Sequence, residues 1–276
     1  MTYREAIAQG EQKLNQVGIV EAKNDAWLLL AMVCKIDHTF YYMHMDEEMT
    51  EEQLREFRSV ISKRAERVPL QYITGEQEFM GLSFHVNSNV LIPRQDTETL
   101  VEAALKQVRP GMKIMDMCTG SGCVLISILR HSHGVTGFGY DISKQAIKVA
   151  KENARRHDVA AVFERSNLFD EVVERDFDMI VANPPYIPTA EIISLMPEVS
   201  QFEPVKALDG HEDGLFFYKE MLKECANYLK PQGSVLFETG CEQGALVSAM
   251  LKYAGYSDVR IVKDLAHRDR VVMGYL

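Results

Sequence analysis

Lys113-Ile114-Met115-Asp116-Met117-Cys118-Thr119-Gly120-Ser121-Gly122 decides how this chain folds. A short apolar run meets an acidic residue, passes through two close glycines, and gives way to Cys123-Val124-Leu125-Ile126, the start of an apolar helix. Strand, glycine turn and helix in that order make a unit whose backbone can approach a ligand closely. Chains that bind dinucleotides carry a third glycine, so that a pyrophosphate rests on the helix N-terminus. Here the corresponding positions hold Cys123, Val124 and Leu125, so the turn suits a ligand without a pyrophosphate. By itself a Gly-x-Gly reads equally as a plain tight turn.

Downstream the pattern repeats. Strand patterns fall at 113–117, 135–141, 161–165, 177–182, 233–238, 258–263 and 270–275, and helical ones at 95–107, 121–131, 143–156, 214–229 and 242–253. Such alternation implies an α/β fold, a parallel sheet with helices on both faces. Between the last two strands the gap from Lys263 to Arg270 is too short for a crossover helix, so the final strand is expected to run antiparallel. Seven strands of this kind form the Rossmann-like sheet of methyltransferases. Its second strand ends in Gly139-Tyr140-Asp141. An acidic residue roughly 20 positions after the glycine turn is placed to accept both hydroxyls of a ribose. The competing reading is a helix cap, because Ile142-Ser143 opens the next helix.

The fourth strand runs into Asn183-Pro184-Pro185-Tyr186. With strand order 3-2-1-4-5, strands one and four are neighbours where the order reverses, so the two loops share one crevice. Pro184 and Pro185 lack N–H groups, and Pro184 restricts Asn183 to an extended backbone. The Asn183 side-chain oxygen and the Pro184 carbonyl can each accept one N–H of a target –NH₂, while Tyr186 stacks on a flat group. Such a grip favours charge building up on an amide or aromatic-amine nitrogen. Attack on an electrophilic sulfonium methyl then requires mainly positioning.

Upstream, residues 1–70 read as helical: Ala6, Ile7, Leu14 and Val17 recur at helical spacing, residues 24–34 form a second apolar helix, and Thr50-Glu51-Glu52-Gln53 matches a capping box. Residues 71–93 read as a β-hairpin linker, with strands at Tyr72-Ile73-Thr74 and Leu82-Ser83-Phe84-His85-Val86. The remainder, 94–276, is the α/β domain. Composition sets bounds on what the chain does. Thirty basic against 40 acidic residues give a formal charge of −10, which disfavours a protein that lives on nucleic acid. Cysteines 34, 118, 123, 225 and 241 contain no Cys-x-x-Cys pair, and the histidines show no ligand spacing, so no metal site is expected. The N-terminus lacks a signal-peptide core and no apolar run is long enough to span a bilayer, so a cytoplasmic enzyme is expected. Glu203, Asp209 and Asp213 read as loop caps or as the crevice rim, and Glu238 as structural.

At this point the chain resembles the N5-glutamine methyltransferases of peptide-chain release factors (the PrmC/HemK family). The resemblance rests on Pro69-Leu70-Gln71-Tyr72-Ile73-Thr74-Gly75, Leu91-Ile92-Pro93-Arg94-Gln95-Asp96-Thr97-Glu98, the glycine turn, Asn183 to Ile187, and Asp264 to Val271. It implies S-adenosyl-L-methionine as cofactor, held by Thr119, Gly120, Ser121, Gly122, Asp141, Asn167, Leu168 and Asn183. It implies as substrate the glutamine in the Gly-Gly-Gln motif of class I release factors, with Asn183 and Pro184 holding the amide and Pro185 and Tyr186 packing beside it. Pro93, Arg94 and Glu98 are expected in the crevice wall, and residues 1–70 in substrate recognition by a monomer. Three positions depart from the family pattern: Asn167 stands where Asp is usual, and Cys118 and His267 where Gly is usual. The departure at His267 questions whether a tight turn forms there.

Two rival readings use the same motifs. An adenine methyltransferase would present the Asn-Pro-Pro-Tyr loop to a flipped base, but it calls for a basic face. A cofactor-binding adaptor without turnover would tolerate the changes at Asn167 and Cys118, but it gives no reason for an intact catalytic loop.

Overall fold

The computed structural model describes residues 1–276. They form two compact units, Met1–Gly75 with Met196–Phe202, and Glu76–Leu195 with Glu203–Leu276.

The first unit is helical: α1 (Tyr3–Gln16), α2 (Ala22–Cys34), α3 (His38–His44), α4 (Glu51–Ala65) and α5 (Leu70–Thr74). Both Thr2 and Thr50 make complete capping boxes, the latter with Gln53 as its spacing implies. Leu14, Leu29, Leu30, Phe57 and Ile61 make a core from which water is excluded. Each such side chain contributes about 1.5–3 kcal/mol. Arg64 is buried, and its charge is met by Asp25 at 2.7 Å and Glu198 at 3.0 Å; Arg67 adds a second bond to Glu198 at 2.6 Å. That pairing ties the short segment 196–202 to this unit.

Tyr72-Ile73-Thr74 does not form a strand. Pro69 opens a helical turn, and Gly75 closes it with φ +79° and an N–H donated to Gln71 O at 2.8 Å. Three alternating residues are too few to tell a strand from one turn of helix. The hairpin itself pairs β1 (Glu76–Phe79) with β2 (Leu82–His85). Phe79 and Phe84 are fully buried in the α/β core, so the hairpin is part of that unit rather than a free connection.

The α/β unit continues through α6 (Glu98–Leu105), β3 (Lys113–Met117), α7 (Cys123–Arg130), β4 (Thr136–Asp141), α8 (Lys144–Arg156), β5 (Ala161–Arg165) and β6 (Phe177–Ala182). After the excursion through α9 (Pro197–Ser200) come α10 (Phe216–Tyr228), β7 (Leu229–Glu238), α11 (Gly244–Tyr253), β8 (Ser257–Lys263) and β9 (Asp269–Tyr275). The seven-stranded sheet has the order β5-β4-β3-β6-β7-β9-β8. Its first five strands are parallel, and β9 runs antiparallel to both β7 and β8. One face packs Leu100, Leu125, Ile126 and Ala150 against the sheet; the other packs Tyr218, Met221, Val247 and Leu251. The order reverses between β3 and β6, as the sequence implies, and their carboxyl ends open onto the site.

Candidate active site

The glycine turn leaves β3 through Cys118 and Thr119. Gly122 sits at φ +80°, and a Cβ there would lie 3.0 Å from Ile126 and 3.1 Å from Ala150. Only glycine lets α7 start this close to α8. Asp116, just before the β3 terminus, is buried and accepts the Thr119 hydroxyl at 2.5 Å. Burial pushes its carboxyl up to about 7, against the lowering effect of the Thr119 and Leu125 hydrogen bonds.

Asp141 ends β4 with its carboxylate at the turn. One oxygen accepts Gly120 N–H at 2.9 Å and the other Ser143 N–H at 2.8 Å. Ser143, not Asp141, caps α8, through Ala146 N–H. Burial raises the Asp141 pKa while these two N–H groups oppose the shift. Each oxygen keeps a lone pair for a further donor.

These groups line a cavity of about 520 Å³. Thr119, Gly120, Ser121, Asp141, Asn167 and Leu168 lie on its wall, as do Pro93, Arg94, Asn183 and Pro185. Gly122, Pro184, Tyr186 and Glu98 do not. Gly122 works behind the wall in helix packing, and Pro184 is buried. Glu98 accepts the Met80 N–H at 2.7 Å and so holds the hairpin turn. The buried Ser121 hydroxyl has no hydrogen-bond partner in the protein. A carboxylate with spare lone pairs, an idle buried hydroxyl and a cavity of this size fit a nucleoside with a vicinal diol, as S-adenosyl-L-methionine carries.

The Asn167 loop shows how its departure from the family pattern is accommodated. The Asn167 side-chain N–H donates to Asp170 at 2.8 Å, and its backbone N–H to Glu171 at 2.8 Å. The amide nitrogen is thereby committed, and the oxygen remains as the free acceptor, the role a carboxylate would fill.

On the opposite side of the cavity Asn183 follows β6. Its side-chain N–H donates to the Thr97 hydroxyl at 3.2 Å, which leaves its oxygen without a protein donor. The Tyr186 hydroxyl points away from the cavity and donates to Glu238 over 3.4 Å. Glu238 ends β7 and is fully buried; the Tyr218 hydroxyl donates to its backbone carbonyl at 2.7 Å. Burial pushes the Glu238 carboxyl up to about 7, opposed by Thr97, Arg270 and Tyr186 and reinforced by Asp96. Burial likewise pushes the Tyr186 phenol up. The loop backbone is braced from behind. Ile187 N–H donates to Leu208 O, Gly210 N–H to Ile187 O, and the Gln243 side chain to Tyr186 O. A Cβ on Gly214 would lie 2.3 Å from Tyr186 O, so only glycine permits this approach.

The segment Arg94 to Glu98 joins these parts. Arg94 pairs with the buried Glu203, Asp96 with Arg270 at 2.9 Å, Thr97 with Asn183 and Glu98 with Met80. Arg270 is itself buried between Asp264 at 3.2 Å and the Thr239 carbonyl at 3.3 Å. Glu203 therefore belongs to the rim, whereas Asp209 accepts Thr189 and His211, and Asp213 accepts Leu215 N–H, as loop caps. Neither Thr97 nor Asp116 was singled out from sequence as a site residue, and both line the cavity. A lone acidic residue inside an apolar strand is the signal that points to Asp116; Thr97 carries none.

Comparison with known proteins agrees with this architecture. Residues 5–75 match the PrmC N-terminal domain family, and residues 94–196 the methyltransferase small domain family. A crystal structure of a methyltransferase from Pyrococcus furiosus shares the fold, with TM-score 0.53 and 17% identity over 71% of this chain and 89% of that one. The release factor glutamine methyltransferase of Geobacter sulfurreducens is 37% identical over 99% of this chain and 96% of its own length. That of Clostridium acetobutylicum is 37% identical over 99% and 98%. Similarity at this level, end to end and through both units, makes the chain a member of the release factor glutamine methyltransferase family.

Proposed function

We propose that this protein transfers the methyl group of S-adenosyl-L-methionine to the side-chain amide nitrogen (N5) of the glutamine in the Gly-Gly-Gln motif of class I peptide-chain release factors. The observation that carries the reading is the Asn183 amide, whose nitrogen is bonded to Thr97 while its oxygen is left to the cavity. The cofactor supplies an electrophilic methyl when bound. Asp141 accepts the ribose hydroxyls, Ser121 offers its idle hydroxyl, and the Asn167 oxygen accepts from the adenine amino group. Across the cavity the Asn183 oxygen accepts one N–H of the glutamine amide, and the other is assigned to the carbonyl of the adjoining Pro184, which does not itself line the cavity in this structure. That grip withdraws the two hydrogens into fixed bonds, so the nitrogen bears charge more readily as it attacks. Pro185 and Tyr186 back the amide, and Arg94, fixed by Glu203, shapes the rim. After transfer the nitrogen is acidic and needs no strong base in the protein to lose its proton. The helical unit is assigned to recognition of the release factor, and the protein to the cytoplasm, acting as a monomer.

The test uses radiolabelled S-adenosyl-L-methionine with a release factor, its Gln→Ala variant at Gly-Gly-Gln, or duplex DNA. Label is expected on the release factor alone. Label on DNA and not on release factor overturns the reading in favour of an adenine methyltransferase, and label on none of them leaves a cofactor-binding adaptor.

A further inference from the structure

The rim of the cavity is clamped to the Asn183–Ile187 loop at one place. Gly210 N–H donates to Ile187 O at 2.8 Å, and Thr189 N–H to the His211 carbonyl at 2.9 Å. Asp209 accepts the Thr189 hydroxyl at 2.6 Å and the His211 N–H at 2.9 Å. A Cβ on Gly210 would lie 2.8 Å from the Tyr186 backbone, so this segment rests directly on the loop. Held in this way, His211 takes a left-handed backbone at φ +66°. That conformation is costly for a side chain and persists where the surroundings enforce it. The ring it carries meets two others. Its centroid is 4.3 Å from that of Phe216 and 5.7 Å from that of Phe217, and the two phenyl rings meet edge to face at 5.2 Å. All three residues line the cavity, yet His211 and Phe216 are exposed. The methyl transfer proposed above uses none of them. Apolar surface left open at the mouth of a cavity marks a place where a ligand lies.

The neighbours of these rings indicate which part of a ligand they meet. Phe217 packs on the apolar cluster beneath α10, and Leu168 packs on the same cluster. The Leu168 segment and α10 lie side by side there: the Tyr228 hydroxyl donates to Phe169 O at 3.1 Å, and the two rings are 4.5 Å apart. The cavity therefore has an apolar wall that includes Leu168, Phe217, Phe216 and His211. Asn167, whose oxygen is assigned to the adenine amino group, adjoins Leu168 in this wall. A purine held by its amino edge at Asn167 presents a flat face to the rings. We propose that His211 is a further cofactor-binding residue: with Phe216 it covers the adenine end of S-adenosyl-L-methionine at the cavity mouth. A ring laid against the base excludes water from that face and adds the attraction of one aromatic group for another. The contact is made to the base, so it serves any ligand that carries adenosine. It lies away from Asn183 and leaves the transfer step itself untouched.

This inference rests on the assignment of the cavity to S-adenosyl-L-methionine, and its test reads binding without methyl transfer. Calorimetry measures the affinity of the wild type, His211→Asn, His211→Phe and Phe216→Leu for S-adenosyl-L-methionine and for 5′-methylthioadenosine, which keeps the nucleoside and lacks the amino-acid arm. Asn adopts a left-handed backbone readily, so His211→Asn keeps the clamp and removes only the ring. It is expected to weaken both ligands by the same factor, about three- to tenfold, the scale of one aromatic contact. Phe216→Leu shifts both in the same direction, and His211→Phe, which keeps a ring, stays close to the wild type. The kcat at saturating cofactor and the KM for a release factor do not move in any of them. Unchanged cofactor affinity in His211→Asn, a loss for S-adenosyl-L-methionine that 5′-methylthioadenosine does not share, or a loss in His211→Phe as large as in His211→Asn overturns the inference. A raised KM for the release factor at unchanged cofactor affinity also overturns it, and gives the rings to the protein substrate. If the affinities change as expected while the wild type leaves the release factor unlabelled, the inference stands and it is the proposed function that fails.

Discussion

Two asparagines face one cavity from opposite sides, and they are held in different ways. Asn167 is exposed, and its amide nitrogen is committed by Asp170, three residues on in the same loop. Asn183 is half-buried, and its nitrogen is committed by Thr97, 86 residues earlier. Both present an oxygen as the free acceptor. The local arrangement is readily adjusted and only weakly protected from water. The tertiary one joins the end of β6 to the segment before α6, so it depends on both elements holding their places. Under the proposed function the difference is fitting: a cofactor bound through many contacts tolerates one soft acceptor, whereas orienting a single –NH₂ for in-line attack does not.

The largest effect separating the two sides is expected at Asn183. Asn183→Ala should lower kcat about 10²- to 10³-fold, the scale for removing one such hydrogen-bonding group, while calorimetry finds S-adenosyl-L-methionine affinity unchanged. Equal losses in affinity and turnover would show that the two sides are not distinct.

The second effect is a pH dependence confined to the Asn183 side. The folded Glu238 carboxyl titrates at about 7 against an ordinary 4.5. Burial sets this value, opposed by Thr97 before α6, Arg270 on β9 and Tyr186 in the loop and reinforced by Asp96. Because the folded value is raised, the protonated group favours folding: its contribution is full below 4.5 and is lost as pH rises through about 7. The wild-type Tm should therefore fall as pH rises toward about 7, and Glu238→Gln should lose that limb. Stability at alkaline pH should be higher in the Gln variant. A limb retained in the variant would assign it to another group.

The Asn167 side should respond more gently. Asp170→Ala frees the amide to rotate, and the dissociation constant for S-adenosyl-L-methionine should rise about three- to tenfold, as expected for one exposed hydrogen bond. The kcat at saturating cofactor should not move. Asn167→Asp, which has an acceptor in either orientation, should make affinity insensitive to Asp170→Ala.

The smallest expected change lies away from both. His267 adopts φ +61° in the turn between β8 and β9, with its N–H on Asp264 O at 3.0 Å. The tight turn thus forms without glycine. Left-handed backbone costs a side chain about 1–2 kcal/mol, part of which glycine returns as chain entropy. His267→Gly should therefore raise stability by up to about 1 kcal/mol, read as a small gain in Tm at unchanged kcat. Cys118 lies at φ +62° in the same way beside the cavity.

Much of this molecule was decided locally. Strand and helix periodicity, the glycine turn, the acidic end of β4 and the extended Asn183 before Pro184 are properties of neighbouring residues, and they led directly to the sheet order and to one shared crevice. Short local patterns also mislead, as Tyr72 to Thr74 showed by forming a helical turn. The partners that orient the site left no such trace. Thr97 with Asn183, Arg94 with Glu203 and Glu238 with Tyr186 are separated by 86, 109 and 52 residues. A hydroxyl or carboxylate acquires its role there from which groups the sheet brings against it, and from the loss of water around it. The sequence by itself determined that an amide and two prolines stand at the end of β6 beside a nucleoside pocket. Only the tertiary structure decided which way that amide points, because the hydroxyl that takes its N–H, Thr97, lies 86 residues away in the chain.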